Sequence, residues 1–145
     1  DKTGWAVVNN PDPADRLHLR VSPERGAASL GKFYNGTPVQ VLEERGDWVQ
    51  VEIGLDGNLT GWMMKEYLAF GEAMDQVQPA WLQKFYRQES GPQLLYPSAK
   101  EENPQVLDTG SFQVVGMVED DWYILLSDWG QTGYVPQSWL FDGNG

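Results

Sequence analysis

The 145-residue chain contains no cysteine and a single histidine, His18. Without thiols there is no disulfide, no thiolate metal site and no cysteine nucleophile, and the redox compartment is left undecided. Cations are scarce as well, ten Lys/Arg against 21 Asp/Glu for a formal net charge of −11. A field of that sign repels nucleic acid and phosphate-rich wall polymers, although it leaves room for a local basic patch. The excess is uneven: residues 1–71 carry seven Lys/Arg and ten Asp/Glu, and residues 72–145 three and eleven, so the halves hold −3 and −8. No apolar run approaches the roughly 18 residues that span a bilayer, and nothing at the start reads as a signal peptide. The sequence opens at Asp1 without Met, so an upstream segment is expected to have been removed.

What the sequence does contain, it contains twice. Gly36-Thr37, Val39, Val41, Asp47-Trp48-Val49-Gln50-Val51 and Thr60-Gly61-Trp62 through Tyr67-Leu68 return as Gly110-Ser111, Gln113, Val115, Asp121-Trp122-Tyr123-Ile124-Leu125 and Thr132-Gly133-Tyr134 through Trp139-Leu140. From glycine to tryptophan both copies count twelve residues, 36 to 48 and 110 to 122. From the later glycine to leucine both count seven, 61 to 68 and 133 to 140. A repeat longer than about fifty residues is a small domain rather than a solenoid unit. The expected division is one unit over residues 1–71, a linker over 72–79 and a second unit over 80–145.

Alternation and turn residues predict strands throughout. Gly4 to Asn9 is a short apolar run, and the two prolines of Asn10 to Asp15 make the next stretch a loop. In Arg16-Leu17-His18-Leu19-Arg20-Val21 the apolar residues share one face, as in a half-buried strand. Residues 22–29 are a surface loop, after which Leu30 with Phe33 or Tyr34 returns the chain to the core. Asn35-Gly36 is a tight turn; Val49, Val51 and Ile53 face inward and Trp48, Gln50 and Glu52 the other way. After a hairpin loop at Gly54 to Asn58 comes a strand over Leu59 to Met64, and Lys65 to Leu68 closes the copy in a 3₁₀ turn. Five short strands at this spacing describe a small antiparallel barrel. In the second copy, Trp81 to Arg87 is the counterpart of the opening strand with Trp81 standing for Trp5, a helix there being the weaker alternative; Leu94 to Pro97 matches Leu19 to Pro23.

These residues resemble a family. Trp-Ala-Val-Val-Asn, Leu-His-Leu-Arg-Val-Ser-Pro, Asn-Gly-Thr before Val-Gln-Val, Asp-Trp-Val-Gln-Val and Gly-Trp-Met ending in Tyr-Leu make residues 4–70 similar to a bacterial SH3 (SH3b) domain. The second copy differs in its first third, and its remainder is similar even to the eukaryotic SH3 pattern. There Leu95-Tyr96 resembles the end of Ala-Leu-Tyr, Glu101 and Glu102 fall in the acidic RT loop, and Gly133-Tyr134-Val135-Pro136 with Trp139 resembles Gly-Tyr-Ile-Pro and its aromatic. The fold class is therefore all-β, two small SH3-like antiparallel barrels in tandem. By the same resemblance the second ligand groove is lined by Tyr96, Trp122, Pro136 and Trp139, and the first by Trp48, Met64 and Tyr67, with Leu19 in the place of the loop tyrosine and Glu24 as the nearest acid. Flat rings accept an extended peptide at low entropic cost.

Each aromatic also has a packing reading, since a barrel of about sixty residues needs large side chains to fill its core. Trp5, Trp62, Trp81 and Tyr134 are read that way. Trp48 and Trp122 stand level between core and ligand contact, because their neighbours Val49 and Tyr123 take the inward positions. Glu119-Asp120-Asp121 is a solvated hairpin tip without the spaced ligands of a calcium loop, and His18 has no partner that would make it catalytic. The acids all fall in predicted loops or on polar faces, away from the burial that raises a carboxyl pKa. The expectation is thus a non-enzymatic module without cofactor, metal or membrane insertion. The resemblance implies export, a place in the cell envelope and recognition of peptidoglycan or its peptides, beside a fused or partner catalytic domain; two weak sites on a short linker would gain effective concentration on a polymer. Two alternatives stand beside it: recognition of a proline-rich or basic protein segment by the second barrel, and a structural role in which the barrels pack on each other or on a missing catalytic domain.

Overall fold

The computed structural model describes residues 4–143, so the expectations for residues 1–3, 144 and 145 lie outside the described residues. The first copy forms β1 (Trp5–Val8), β2 (Arg16–Arg20), β3 (Ser29–Tyr34), β4 (Pro38–Arg45), β5 (Trp48–Ile53) and β6 (Leu59–Met64), then a 3₁₀ turn (Lys65–Tyr67) and β7 (Leu68–Phe70). Val49, Val51 and Ile53 are fully buried while Trp48, Gln50 and Glu52 lie half-buried on the opposite face, as their alternation requires. Two strands exceed the expected five. β3 forms where only a return to the core was foreseen, because Phe33 is wholly buried and its strand hydrogen-bonds along β2 from Arg16↔Tyr34 to Leu19↔Gly31. β7 pairs with β1, Val8 against Leu68. At the Asn35-Gly36 turn Gly36 takes φ 87, open to glycine without penalty.

The second copy forms β8 (Phe85–Tyr86), β9 (Leu94–Leu95), β10 (Gln105–Val106), β11 (Phe112–Val118), β12 (Trp122–Ser127), β13 (Thr132–Pro136), a 3₁₀ turn (Gln137–Trp139) and β14 (Leu140–Phe141). The expected linker contains a 3₁₀ turn of its own, Gly71–Gln76. Trp81 does not stand for Trp5. Leu82 bridges Val114 as Trp5 pairs with Gln40, the matching position one repeat earlier, whereas Trp81 packs against the first copy's core. Trp5 itself stays at the surface, 37% exposed, so the packing reading fails for it.

All pairing is antiparallel, and one ten-stranded sheet runs through both copies in the order β13-β12-β11-β3-β2-β6-β5-β4-β1-β7. The joint is β11 against β3, with Gly116 opposite Phe33 and Met117 opposite Lys32. A bulge between Val114 and Gly116 makes that approach possible by turning Val115 into the first copy's core, where it is 1% exposed. Gly116 is required there, because a Cβ would meet the Lys32 carbonyl oxygen at 2.7 Å and the Phe33 ring at 2.8 Å. β12 buries both faces: Trp122, Ile124 and Leu126 pack against the first core, Tyr123 and Leu125 against the second. Tyr123 is consequently not the innermost residue of its strand; Ile124 and Leu125 are. Polar bonds close the same seam. The Asp56 carboxylate accepts from Thr132 N at 2.8 Å and Thr132 Oγ1 at 3.0 Å, Leu55 N donates to the Gly130 carbonyl at 2.7 Å, and the Tyr134 hydroxyl donates to the Leu30 carbonyl at 2.7 Å.

Candidate binding grooves

In the first copy Trp48 and Met64 are register partners on β5 and β6, and Tyr67 follows in the 3₁₀ turn. The three predicted residues meet in one open groove of about 480 Å³. Its other wall is the loop from Asn10 to Asp15, which Asn10 and Asn35 hold in place: Asn10 N donates to Asn35 Oδ1 at 2.7 Å and Asn35 Nδ2 returns to the Asn10 carbonyl at 3.0 Å. From the opposite side Tyr67 fixes the same loop, its carbonyl accepting from Asn9 N at 2.8 Å.

The charge of this groove departs from the sequence reading. Glu24 is exposed and absent from the lining, and Leu19 is fully buried in the core. The position opposite Trp62 on β6 is Arg20, just as Tyr96 stands opposite Tyr134 in the second copy. Arg16, Arg20 and Arg25 line the groove instead, with Asp12, Asp15 and His18. Arg16 lies over the Tyr34 ring and Arg20 Nη1 donates to the Ala27 carbonyl at 2.9 Å. His18, whose Nδ1 is 2.7 Å from Ser29 Oγ, has its pKa lowered by burial first and then by Arg20 and Lys32, and so stays neutral at pH 7. None of the arginines entered the sequence-based site. Their signal was there in Arg16, His18 and Arg20, the outward face of β2, but the strand pattern does not reveal what faces that side.

In the second copy Tyr96, Trp122, Pro136 and Trp139 also come together. The Tyr96 and Trp122 ring centroids are 6.0 Å apart and nearly perpendicular, Tyr96 and Trp139 are 5.7 Å apart, and Trp122 is the register partner of Pro136. These contacts consume the surface they would offer. Tyr96 is 9% exposed, and Trp122 is half-buried with its face of β12 turned to the first core. Glu101 and Glu102 are exposed in the loop between β9 and β10, and Glu119, Asp120 and Asp121 at the β11–β12 hairpin. Among the described residues no group of acids and histidine is arranged to hold a metal ion.

The bacterial SH3 domain family matches residues 15–69. Residues 15–69 are a bacterial SH3 domain. The SH3 domain so delimited holds β2 through β6 and the groove residues Trp48, Met64 and Tyr67, and it leaves out β1, which pairs with its β4. No curated protein matches the chain. Among solved structures it is similar to NlpC2 from Trichomonas vaginalis (13% identity, TM-score 0.38, covering 96% of this chain and 48% of that one) and to NlpC1 from the same organism (14%, 0.38, 94% and 45%). The chain thus spans about half the length of either protein.

Proposed function

We propose that the chain is a non-catalytic, exported module of the cell envelope that recognises peptidoglycan or its peptides, targeting or supporting a catalytic domain. The observation that carries this reading is the groove at Trp48, Met64 and Tyr67 inside a bacterial SH3 domain: an open cleft in which Tyr67 packs against the core but Trp48 does not. Ring faces and a thioether accept the backbone and side chains of an extended peptide, and the surrounding polar groups orient it. The acids lining the groove, Asp12 and Asp15, belong to an exposed loop rather than to a desolvated acid–base pair, which favours binding over hydrolysis.

Sedimentation with insoluble purified peptidoglycan tests the proposal, at low and moderate salt. Wild type is expected to co-sediment, and folded Trp48→Ala to remain largely in the supernatant. A wild type that stays in solution removes the wall as direct ligand.

A second reading rests on the second copy. Its paired rings beside the acidic loops at Glu101-Glu102 and Glu119 to Asp121 suit a proline-rich or basic segment, but Trp122 is committed to packing against the first core and Tyr96 is nearly covered. We assign this groove the lesser part.

A further inference from the structure

Three arginines converge on one groove of a protein that carries 21 acids. Elsewhere among the described residues three cations meet carboxylates, Arg45 with Glu43, Lys65 with Glu44 and Lys84 with Asp142 at 2.6 to 2.7 Å, while Lys32, Arg87 and Lys100 stand apart from one another without an ion pair. Among the described residues none of Arg16, Arg20 and Arg25 has such a partner. Arg16 rests on a ring, Arg20 uses one donor on a backbone carbonyl, and Arg25 is exposed in the loop after β2. The two acids in the lining do not balance them, and the Asp12 carboxylate accepts from Ala14 N at 2.9 Å within its own loop. With His18 neutral, three guanidinium groups against two carboxylates leave a local charge of +1.

We infer that the first groove binds the free carboxylate of an extended peptide, with its adjoining residues laid on Trp48, Met64 and Tyr67. The inference rests on the reading of this groove as a binding site and names the chemistry of what it takes. A planar guanidinium fork matches a carboxylate through two parallel hydrogen bonds, and one such anion neutralises the local excess. A polyanion does not fit the same logic. The groove compensates a single charge, while the remaining field of a −11 chain repels every further phosphate. A neutral peptide would leave the guanidinium groups without a partner.

The probes are N-acetyl-alanyl-alanine, the same dipeptide as its C-terminal amide, and inorganic phosphate, each titrated into ¹⁵N-labelled protein while the Trp48 indole N–H is followed. That signal is assigned with Trp48→Phe. The free acid is expected to shift it saturably, the amide to bind at least about tenfold more weakly, and Arg25→Gln to weaken the acid by about fivefold to tenfold with the spectrum otherwise unchanged. Arg25→Lys should recover part of the loss. An amide that binds as well as the acid, an Arg25→Gln protein that binds normally, or a Trp48 signal that no probe moves would each overturn the inference. Phosphate binding more tightly than the acid would also overturn it, in favour of a phosphate ligand. Sedimentation separates the two proposals. If wild type and Arg25→Gln bind peptidoglycan alike, the groove reading stands and the carboxylate fails; if the dipeptide binds but the wall does not, the carboxylate stands and the wall fails.

Discussion

Trp48 and Trp122 occupy the same place in the repeat, twelve residues after a glycine and at the start of an equivalent strand, yet they have different neighbours. Trp48 lies over an open groove bordered by three arginines. Trp122 sits on a strand whose two faces are both covered, held edge-on by Tyr96 and set against the core of the other copy. The difference originates one strand away. At the repeat position where the first copy has Leu42, 47% exposed on the outer strand β4, the second has Gly116; both strands have a one-residue bulge, at Leu42 and at Val115, so it is the glycine that lets β11 dock on β3. A strand that gives one face to a neighbouring core keeps the ring on that face for packing, whereas the ring at the matching position of the first copy stays over an open groove.

Breaking the joint is the most drastic way to test this comparison. Gly116→Leu places a side chain where backbone and ring lie within 3 Å, so β11 must leave β3 and the destabilisation should reach about 3 kcal/mol in urea unfolding. The reciprocal Leu42→Gly alters an exposed strand residue and should cost about 1 kcal/mol or less. Equal losses from the two would show that the copies are alike in role and the contrast is false.

The rings themselves sharpen it. Trp122→Ala removes a half-buried indole packed against the first core and should cost about 2 kcal/mol, while Trp48→Ala should cost well under half of that and act on binding instead. Thermal unfolding read alongside sedimentation separates the two effects. A Trp122→Ala protein as stable as wild type but unable to bind would return the ligand to the second copy.

Much of this architecture is legible from residue types alone. Val49, Val51 and Ile53 alternate in a strand with one polar face, and its burial follows directly. β12 defeats the same rule. Trp-Tyr-Ile-Leu-Leu is apolar on both faces, which fits a strand covered on two sides, but which partner covers each face depends on residues in the other copy. Gly116 between Val115 and Met117 carried the missing signal, since a glycine inside a strand marks a bulge or a close backbone approach. The aromatic floor of the first groove was readable from family resemblance, whereas its charge was not. Arg25 and the loop at Asp12 reach it through loop conformation, and the Asn10–Asn35 bonds that set that loop span 25 residues.

Protonation reports on the seam from another side. Burial pushes the Tyr134 hydroxyl up to about 12 and raises Tyr86 as well. Because the folded pKa lies above the unfolded value near 10, the neutral phenol stabilises the fold fully below pH 10, and that contribution is lost as pH rises through the folded value. Tyr134→Phe should lose about 1 kcal/mol at neutral pH, where the Leu30 carbonyl forfeits its donor, and should then decline less steeply than wild type between pH 10 and 12. Parallel alkaline curves for the two proteins would mean that Tyr134 is not held neutral by the joint.

The smallest effect concerns the hairpins that carry the two tryptophans. Both place a residue in the left-handed region, Gly46 at φ 62 before Trp48 and Glu119 at φ 48 before Trp122. The hairpins differ by one residue, Arg45 pairing with Trp48 across two residues and Val118 with Trp122 across three; each outer strand has a one-residue bulge, at Leu42 and at Val115, so the offset runs the length of the pairing. Glycine adopts this conformation freely, whereas an L side chain there costs about 1–2 kcal/mol, part of which glycine gives back through the greater entropy of its unfolded chain. Glu119→Gly should therefore stabilise by about 0.5 kcal/mol and Gly46→Ala should destabilise by about 1 kcal/mol. Glu119→Ala is the control that separates strain from charge, for it removes the carboxylate beside Asp120 and Asp121 but keeps the Cβ. If alanine stabilises as much as glycine, repulsion among the three acids, and not the backbone, is what the second hairpin bears.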